Sequence, residues 1–317
     1  MTCFDVFNGD ADGLCALQQL RLAEPLDSTL VTGVKRDIAL LERVPASAGD
    51  QVSVLDIALD KNRAALVRVL AAGAQVRYFD HHYPGEIPSH PRFACHIETS
   101  PDKGTSLLVD EFVGGRFRAW AVVGTFGDNF DAAARRAAVV LGLAAPALER
   151  LRDLGICLNY NGYGASVADL HCAPDELYRR LRPYADPLVF MREDSTFQVL
   201  SDGYAHDMAQ ARATVPALAA ERHCLHLLPA EPWARRVGGV FANALAQQAP
   251  GCAHALLTQL PGGGFVVSVR APLNRPEGAD HLCRQFANGG GRKAAAGINH
   301  LPDADYDRFA AAFLAAF

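Results

Sequence analysis

No stretch of about 18 uncharged apolar residues occurs in the 317-residue chain, which excludes a helical membrane span. The eight cysteines (Cys3, Cys15, Cys95, Cys157, Cys172, Cys224, Cys252 and Cys283) include no C-x-x-C pair. Neither a disulfide framework nor a zinc knuckle is therefore expected, and most read as buried apolar thiols. Positive charge is not in excess: 30 Lys and Arg face 35 Asp and Glu, for a net charge of −5. A protein that grips long duplex nucleic acid by counterion release needs the opposite balance, so a phosphate-bearing ligand would have to be held locally. With 50% hydrophobic residues and so little net charge, disorder is excluded as the main state. Met1 to Asp12 carry no basic segment ahead of a long apolar run. No signal peptide is read there, and the expected location is the cytoplasm.

What is present is a regular alternation. Apolar runs at Cys3–Phe7, Thr29–Val34, Val52–Leu55 and Val76–Phe79 alternate with helical patterns at Leu14–Leu22, Ile38–Val44 and Ala64–Ala72. That is the signature of βαβ units, and the fold class read from it is α/β, with an N-terminal open parallel sheet. Residues 104–184 read mainly as helices, with Pro174 suited to a first helical turn. The expected division is a catalytic domain over 1–190, a linker over 191–220 and a smaller α/β domain over 221–317, with a cleft between the domains. The linker is read from Pro187, Ser195, Asp202, Gly203 and Pro216 amid weak periodicity. The second domain is read from Cys224–Leu228, the helix Trp233–Gln247, Ala253–Leu257, Phe265–Arg270 and the helical tail Tyr306–Phe317. Gly262, Gly263 and Gly264 lie between two β-prone runs and read as a hairpin turn.

In an open parallel sheet, ligands bind beyond the carboxyl ends of the strands. Asp10 and Asp12 stand two residues apart where the first run ends, Asp56 ends another, and Asp80, His81 and His82 follow Phe79. Asp128 follows the apolar segment Ala119–Gly127. Each motif alone also fits a turn, but together they converge on one sheet edge. Carboxylates gathered there without counter-charge would repel each other and raise their pKa values. Two divalent cations supply +4 against the four aspartates, and a mixed carboxylate and imidazole set suits Mn(II), with Mg(II) or Co(II) as substitutes. Two such ions can activate a water between them and clamp a phosphoryl group, which points to phosphoester hydrolysis.

These motifs, N-G-D-A-D-G (8–13), L-D-I-A-L-D (55–60), F-D-H-H (79–82) and T-F-G-D-N (125–129), resemble those of the DHH phosphoesterase superfamily. The resemblance implies one Mn(II) held by Asp10 and Asp56, and a second held by Asp12, Asp56, His81 and Asp128, with Asp56 bridging. It places His82 beside the scissile phosphate or in a metal shell, and makes Asp80 an acceptor that fixes a histidine ring. Catalytic roles thus fall to Asp80, His81 and His82. Asn8 departs from the family pattern, which often has an acid or histidine there as a further ligand or support.

The segment Ala287–Gly297 joins Asn288, Gly289, Gly290 and Gly291 to Arg292, Lys293 and an alanine run. Glycines let a backbone approach an anion, and a following helix N-terminus would add its dipole; a plain surface turn is the alternative. This segment is similar to the G-G-G-H-x-x-A-[AS]-G signature of the DHH-associated C-terminal domain in the oligoribonuclease and RecJ-like branch. There Arg292 stands in place of histidine, and Val267–Arg270 resembles the preceding strand. The implied substrate-binding residues are Arg270, Asn288, Gly289, Gly290, Gly291, Arg292 and Lys293.

Other signals are bland. Leu158–Gly164 offers tyrosines for stacking but reads first as a turn. His223, Cys224 and His226 alternate along a short strand and need no metal, and His96, His171 and His206 read as structural or solvated. The expected activity is Mn(II)-dependent hydrolysis of short oligonucleotides, dinucleotides in particular, to mononucleotides. The substrate is the expected partner, with no long duplex and no membrane, and a homodimer is compatible. Alternative readings are a cyclic-dinucleotide or 3′-phosphoadenosine 5′-phosphate hydrolase, and a nucleotide-binding sensor with little turnover.

Overall fold

The computed structural model describes residues 1–317, and they divide into two compact units, Met1–Asp202 and Gly203–Phe317. The first unit opens with strand β1 (Cys3–Phe7), helix α1 (Ala11–Ala23), β2 (Thr29–Val31), β3 (Gln51–Leu55), α2 (Leu59–Ala71), β4 (Gln75–Asp80) and β5 (Phe93–Ile97). Helices α3 (Thr105–Phe112), α4 (Arg118–Gly127), α5 (Asp131–Ala138), α6 (Ala145–Asn161), α7 (Pro174–Leu181) and α8 (Pro187–Glu193) follow, and α9 (Thr196–Arg212) runs across the division at Asp202. The five strands form one parallel sheet in the order β2-β1-β3-β4-β5.

Both faces of this sheet are covered, as a parallel sheet requires. Phe4, Val6, Val52, Val54, Val76 and Tyr78 point to one face and pack with Leu66 and Val69 of α2. The alternate residues Phe7, Leu55 and Phe79 point to the other, where Leu14, Leu17, Trp120, Phe126 and Leu158 meet them. Asp5 shares the parity of Phe7 and is fully buried on the helical side. Its charge is matched there by Arg21 of α1, whose Nε and Nη2 donate to the two carboxylate oxygens at 2.8 and 2.5 Å.

The helical block also fits tightly against α1. A Cβ placed on Gly127 would lie 2.2 Å from the Ala11 Cβ and 2.8 Å from the Gly155 oxygen, so only glycine lets α4 approach α1 and α6 this closely. Proline opens α7 at Pro174, where a missing N–H costs nothing.

The strand pattern is followed closely, with three departures. The Ile38–Val44 pattern forms only a 3-10 turn at Leu40–Arg43. Buried Asn62 of α2 holds that segment instead, accepting from the Leu41 N–H and donating to the Ile38 oxygen. Strand β5 is a partly exposed edge strand, so its residues lack the continuous apolar run of a central one. The segment 191–220, expected as a linker, is mostly helix α9 followed by a short strand. Asp194 accepts from the Thr196 N–H at the start of that helix; Ser195 and Pro216 lie outside it, while Asp202 and Gly203 fall within it and Pro187 opens α8.

The second unit contains β6 (Leu218–Ala220), β7 (His223–Leu228), α10 (Pro232–Gln248), β8 (Ala253–Gln259), β9 (Phe265–Arg270), α11 (Ala279–Cys283), β10 (Gly289–Gly291), β11 (Ala295–Leu301) and α12 (Tyr306–Ala316). Its mixed sheet has the order β10-β11-β9-β8-β7-β6, in which only β7 and β8 are parallel. Leu225, Leu257, Val267 and Ile298 pack there against Phe309 and Phe313 of α12. Gly262–Gly264 connect antiparallel β8 and β9, the expected hairpin. No helix of the chain is long and apolar enough to cross a membrane.

The Asp5–Arg21 pair is the most sensitive electrostatic point of the first unit, because removing one partner strands the other charge in the core. Asp5→Ala is expected to lower unfolding stability by about 3–5 kcal/mol, measured by urea denaturation. A loss below about 1 kcal/mol would show that the pair is not a buried constraint.

Candidate metal centre

The parallel topology brings the expected acids to one sheet edge. Asp10 caps the N-terminus of α1 just beyond β1, its Oδ1 accepting from the Gly13 N–H at 3.1 Å. The turn between them is closed enough that a Cβ on Gly13 would meet the Asn8 oxygen at 2.3 Å. Asp12 lies in the first turn of α1 and is completely buried. Both its oxygens accept from the N-terminus of α3, Oδ2 from Thr105 N at 2.6 Å and Oδ1 from Ser106 N at 2.8 Å. That helix end offers unpaired N–H groups and a favourable dipole to a carboxylate. Asp128 has the opposite situation at the C-cap of α4, where the helix dipole disfavours an anion and a cation would be welcome.

Asp56 follows β3 with φ +59, a conformation that is strained for a residue other than glycine. Its backbone N–H is held by the Phe79 oxygen at 2.9 Å, and its Oδ1 accepts from Thr105 Oγ1 at 3.0 Å. The strained turn therefore aims a buried carboxylate at the same point as its neighbours. Asp80, the last residue of β4, accepts at one oxygen from the His81 N–H at 2.9 Å and pairs with His82 Nδ1 at 2.7 Å.

These placements converge on His81 Nε2. It lies 3.5 Å from Asp56 Oδ1, 3.6 Å from Asp128 Oδ2 and 3.9 Å from Asp12 Oδ2, and it has no hydrogen-bond partner. A buried, unpartnered nitrogen faced by three carboxylate oxygens is poor as a set of hydrogen bonds. It fits ligands of one cation, since atoms each about 2.1 Å from a common ion lie roughly 3–4 Å apart. Ligand atoms of Asp12, His81 and Asp128 all fall within 4.8 Å of one another, as do those of Asp56, His81 and His82. Asp10 is in neither group.

A further group fills the space beside Asp10, and it was not foreseen from sequence. The Lys35 ammonium, from the loop after β2, lies 2.5 Å from Asp10 Oδ2 and donates to Asp128 Oδ1 and Asn159 Oδ1 at 2.9 Å each. The available signal was positional: Lys35 follows the second strand much as the acids follow the first and third. Asn159 sits in the last turns of α6, so the Leu158–Gly164 segment is a helix end rather than a free turn. Asn8 donates from Nδ2 to the Lys35 carbonyl at 3.4 Å, and its Oδ1 is buried without a partner.

The electrostatics follow from this placement. Burial first, then the charge of Asp128, pushes the Asp12 carboxyl from 3.8 up to about 6, with His81 opposing. Burial and the neighbouring Asp10, Asp12 and Asp128 raise Asp56 well above the carboxylate range. Burial also works to raise Asp128, but Lys35 and His81 outweigh it and hold that carboxyl low. For Lys35, the loss of hydration is overcome by Asp10 and Asp128, so the amine stays protonated. Burial opposes protonation of His82, and the Asp80 hydrogen bond reverses this, so its pKa is raised.

In the second unit the glycine segment differs from expectation. The alanines after Lys293 open strand β11, not a helix, and Gly289–Gly291 pair antiparallel with Ala296–Ile298. A Cβ on Gly289 would lie 1.9 Å from the Cys283 oxygen, so the glycines let the hairpin lie against α11. The Gly289 and Arg292 N–H groups bond to Phe286 and Ala295 carbonyls, and no helix N-terminus follows the glycines. Arg292 and Lys293 are exposed at the hairpin turn, and Asn288 is exposed with φ +60. Arg270 pairs in register with Ala295, and its guanidinium donates to Asn243 Oδ1 at 2.7 Å and to the Val269 oxygen. His226, one of the ligand-like strand residues, is buried against Phe241 with Thr214 Oγ1 3.2 Å from its Nδ1. Cys224 is on the same strand, and no metal-capable group includes it, His223 or His226.

Searches against protein-family models and curated proteins return no match. Among solved structures, a manganese-bound exonuclease RecJ aligns over 99% of this chain and 89% of its own, with TM-score 0.67 and 21% identity. RecJ from Thermus thermophilus in complex with Mn2+ aligns with TM-score 0.62 and 18% identity over 99% of this chain and 51% of that one, so this chain spans about half of it. A pGpG-specific phosphodiesterase from Vibrio cholerae aligns with TM-score 0.52 and 14% identity over 99% and 97% of the two chains. The chain has the DHH phosphoesterase superfamily fold.

The raised Asp56 carboxyl binds its proton more tightly folded than unfolded, so its contribution to stability falls as pH climbs above its ordinary 3.8. Asp56→Asn removes one such charge and also suits the positive φ. In EDTA this variant is expected to be more stable than the unaltered protein by about 1 kcal/mol or more at pH 7.5. The gain should shrink at pH 5.5, and Mn(II) should no longer raise its melting temperature as it does for the parent. Equal melting curves at both pH values would contradict the assigned electrostatics.

Proposed function

We propose that the chain is a divalent-metal-dependent phosphodiesterase that hydrolyses short linear oligonucleotides, dinucleotides foremost, to mononucleotides. The observation that carries the reading is the unpartnered His81 Nε2 enclosed by Asp12, Asp56 and Asp128 oxygens. Those four side chains are the proposed ligands, and the mixed carboxylate and imidazole set favours Mn(II), with Mg(II) or Co(II) as substitutes. A bound ion of this kind polarises a phosphoryl oxygen and lowers the pKa of water.

The chain's own residues supply the rest. His82 is the open member of the group, with its side chain 45% exposed, and its pairing to Asp80 favours the protonated ring. It is placed to donate a proton to a phosphate oxygen or to the departing hydroxyl. Thr105 and the α3 N-terminus fix Asp56 and Asp12, so the acids need not reorganise when substrate arrives. In the second unit Arg292 and Lys293 are the proposed phosphate-holding cations, Arg292 by a bidentate contact. Arg270, tied to Asn243 and the backbone, is proposed to brace that hairpin edge.

The preference for short substrates draws support from the match with the pGpG-specific phosphodiesterase over nearly the full length of both chains. Purified protein should release mononucleotides from 5′-phosphorylated dinucleotides in Mn(II) at least tenfold more efficiently than from oligomers of ten or more residues. Cyclic dinucleotides and 3′-phosphoadenosine 5′-phosphate should be poor substrates. Absence of mononucleotide from every linear substrate would overturn the proposal, and tight binding without turnover would favour a sensor. Asp56→Ala should lower turnover by about a thousandfold or more. Arg292→Ala should mainly raise KM about tenfold, a loss of about 1.5 kcal/mol of charged hydrogen bonding to the phosphate.

A further inference from the structure

Lys35 is not a surface lysine that happens to lie near an acid. Its side chain is 23% exposed, and its ammonium meets one acceptor for each of its three protons: Asp10 Oδ2, Asp128 Oδ1 and Asn159 Oδ1. The backbone is gripped at the same place, since the Lys35 N–H bonds the Gly162 oxygen at 2.8 Å. The Tyr163 ring lies 5.6 Å from the ammonium. Asn159, Gly162 and Tyr163 all belong to the end of α6, so one helix terminus builds the seat.

The ligands left for a second divalent ion are correspondingly few. Asp10 caps the Gly13 N–H with Oδ1, and its Oδ2 is taken by a cation, the Lys35 ammonium, where Asp12 and Asp56 oxygens meet only neutral donors. Asn8, a neutral amide, turns its NH2 group to the Lys35 carbonyl. Neither residue belongs to either close group of ligand atoms, Asp12, His81 and Asp128 in one and Asp56, His81 and His82 in the other, whereas His81 Nε2 lies within 3.9 Å of Asp12, Asp56 and Asp128 oxygens alike. An ammonium and a metal ion compete for the same lone pairs, and here the ammonium is covalently tethered.

We propose that Lys35 is a built-in cation of the acidic centre, standing where a second divalent ion would otherwise sit, so that the centre loads a single ion on Asp12, Asp56, His81 and Asp128. This rests on the metal-dependent reading above and deepens it. Asp128 is then shared between the lysine, through Oδ1, and the loaded ion, through Oδ2. The fixed positive charge remains when chelators remove the ion.

The test is metal counting on the full chain. Equilibrium dialysis against Mn(II) with elemental analysis should give one ion per unaltered chain at saturation, and electron paramagnetic resonance should show the six-line signal of an isolated ion. The variant Asn8→Asp/Lys35→Ala, checked for folding by circular dichroism, should bind two ions and show the exchange-coupled signal of a pair a few ångströms apart. Two coupled ions in the unaltered protein would overturn the inference while leaving the metal-dependent phosphodiesterase reading intact. A folded double variant that still binds one ion would also overturn it. Failure of the unaltered protein to bind any Mn(II) would instead sink the metal-dependent reading itself.

Discussion

Like charges cannot share a dry pocket without compensation, and that constraint organises the first unit. Asp10, Asp12, Asp56 and Asp128 are all drawn to one sheet edge, and three of them are essentially buried. Each has its own local answer to the cost. Asp12 faces the amide groups at the start of α3, Asp56 takes a hydroxyl from Thr105, and Asp10 and Asp128 hold Lys35. What these answers leave unmet is gathered around His81, where Asp12 Oδ2, Asp56 Oδ1 and Asp128 Oδ2 face a nitrogen with no hydrogen-bond partner. Burial first, and then the neighbouring acids, raise the Asp12 and Asp56 carboxyls.

The scaffold is built to hold that deficit in place. A parallel sheet covered on both faces delivers its loops to one edge, and the tight glycine contact of α4 with α1 and α6 fixes where Asp128 emerges. Strain is stored at Asp56, whose positive φ is kept by a backbone bond to the neighbouring strand. Stability is thus given up locally in exchange for geometry, which is the usual relation between an active centre and its fold.

Much of this was legible in the sequence because period and position carry it. The strand runs, their order and the polar residues that follow them, Asp10, Asp56 and Asp80–His82, appear directly in the apolar alternation. Lys35 and Asn159 were not legible, because a search for metal ligands passes over a cation and a helix-end amide, and only the tertiary fold brings them beside Asp10. Edge strand β5 was hidden by its partial exposure, and the 191–220 helix by Asp202 and Gly203, breaker residues that the helix accommodates within its length. Ala294–Ala296 misled in a different way. Alanine favours helix in isolation, but pairing with β9 and the glycine strand overrides that preference in the sheet.

The centre can be tested most directly by diffraction from crystals grown in Mn(II), with anomalous data at the manganese edge. The account predicts a peak bonded to Asp12, Asp56, His81 and Asp128, at roughly 2.1–2.2 Å from their ligand atoms. No peak at that position in metal-saturated protein, or those four side chains turned apart, would contradict it.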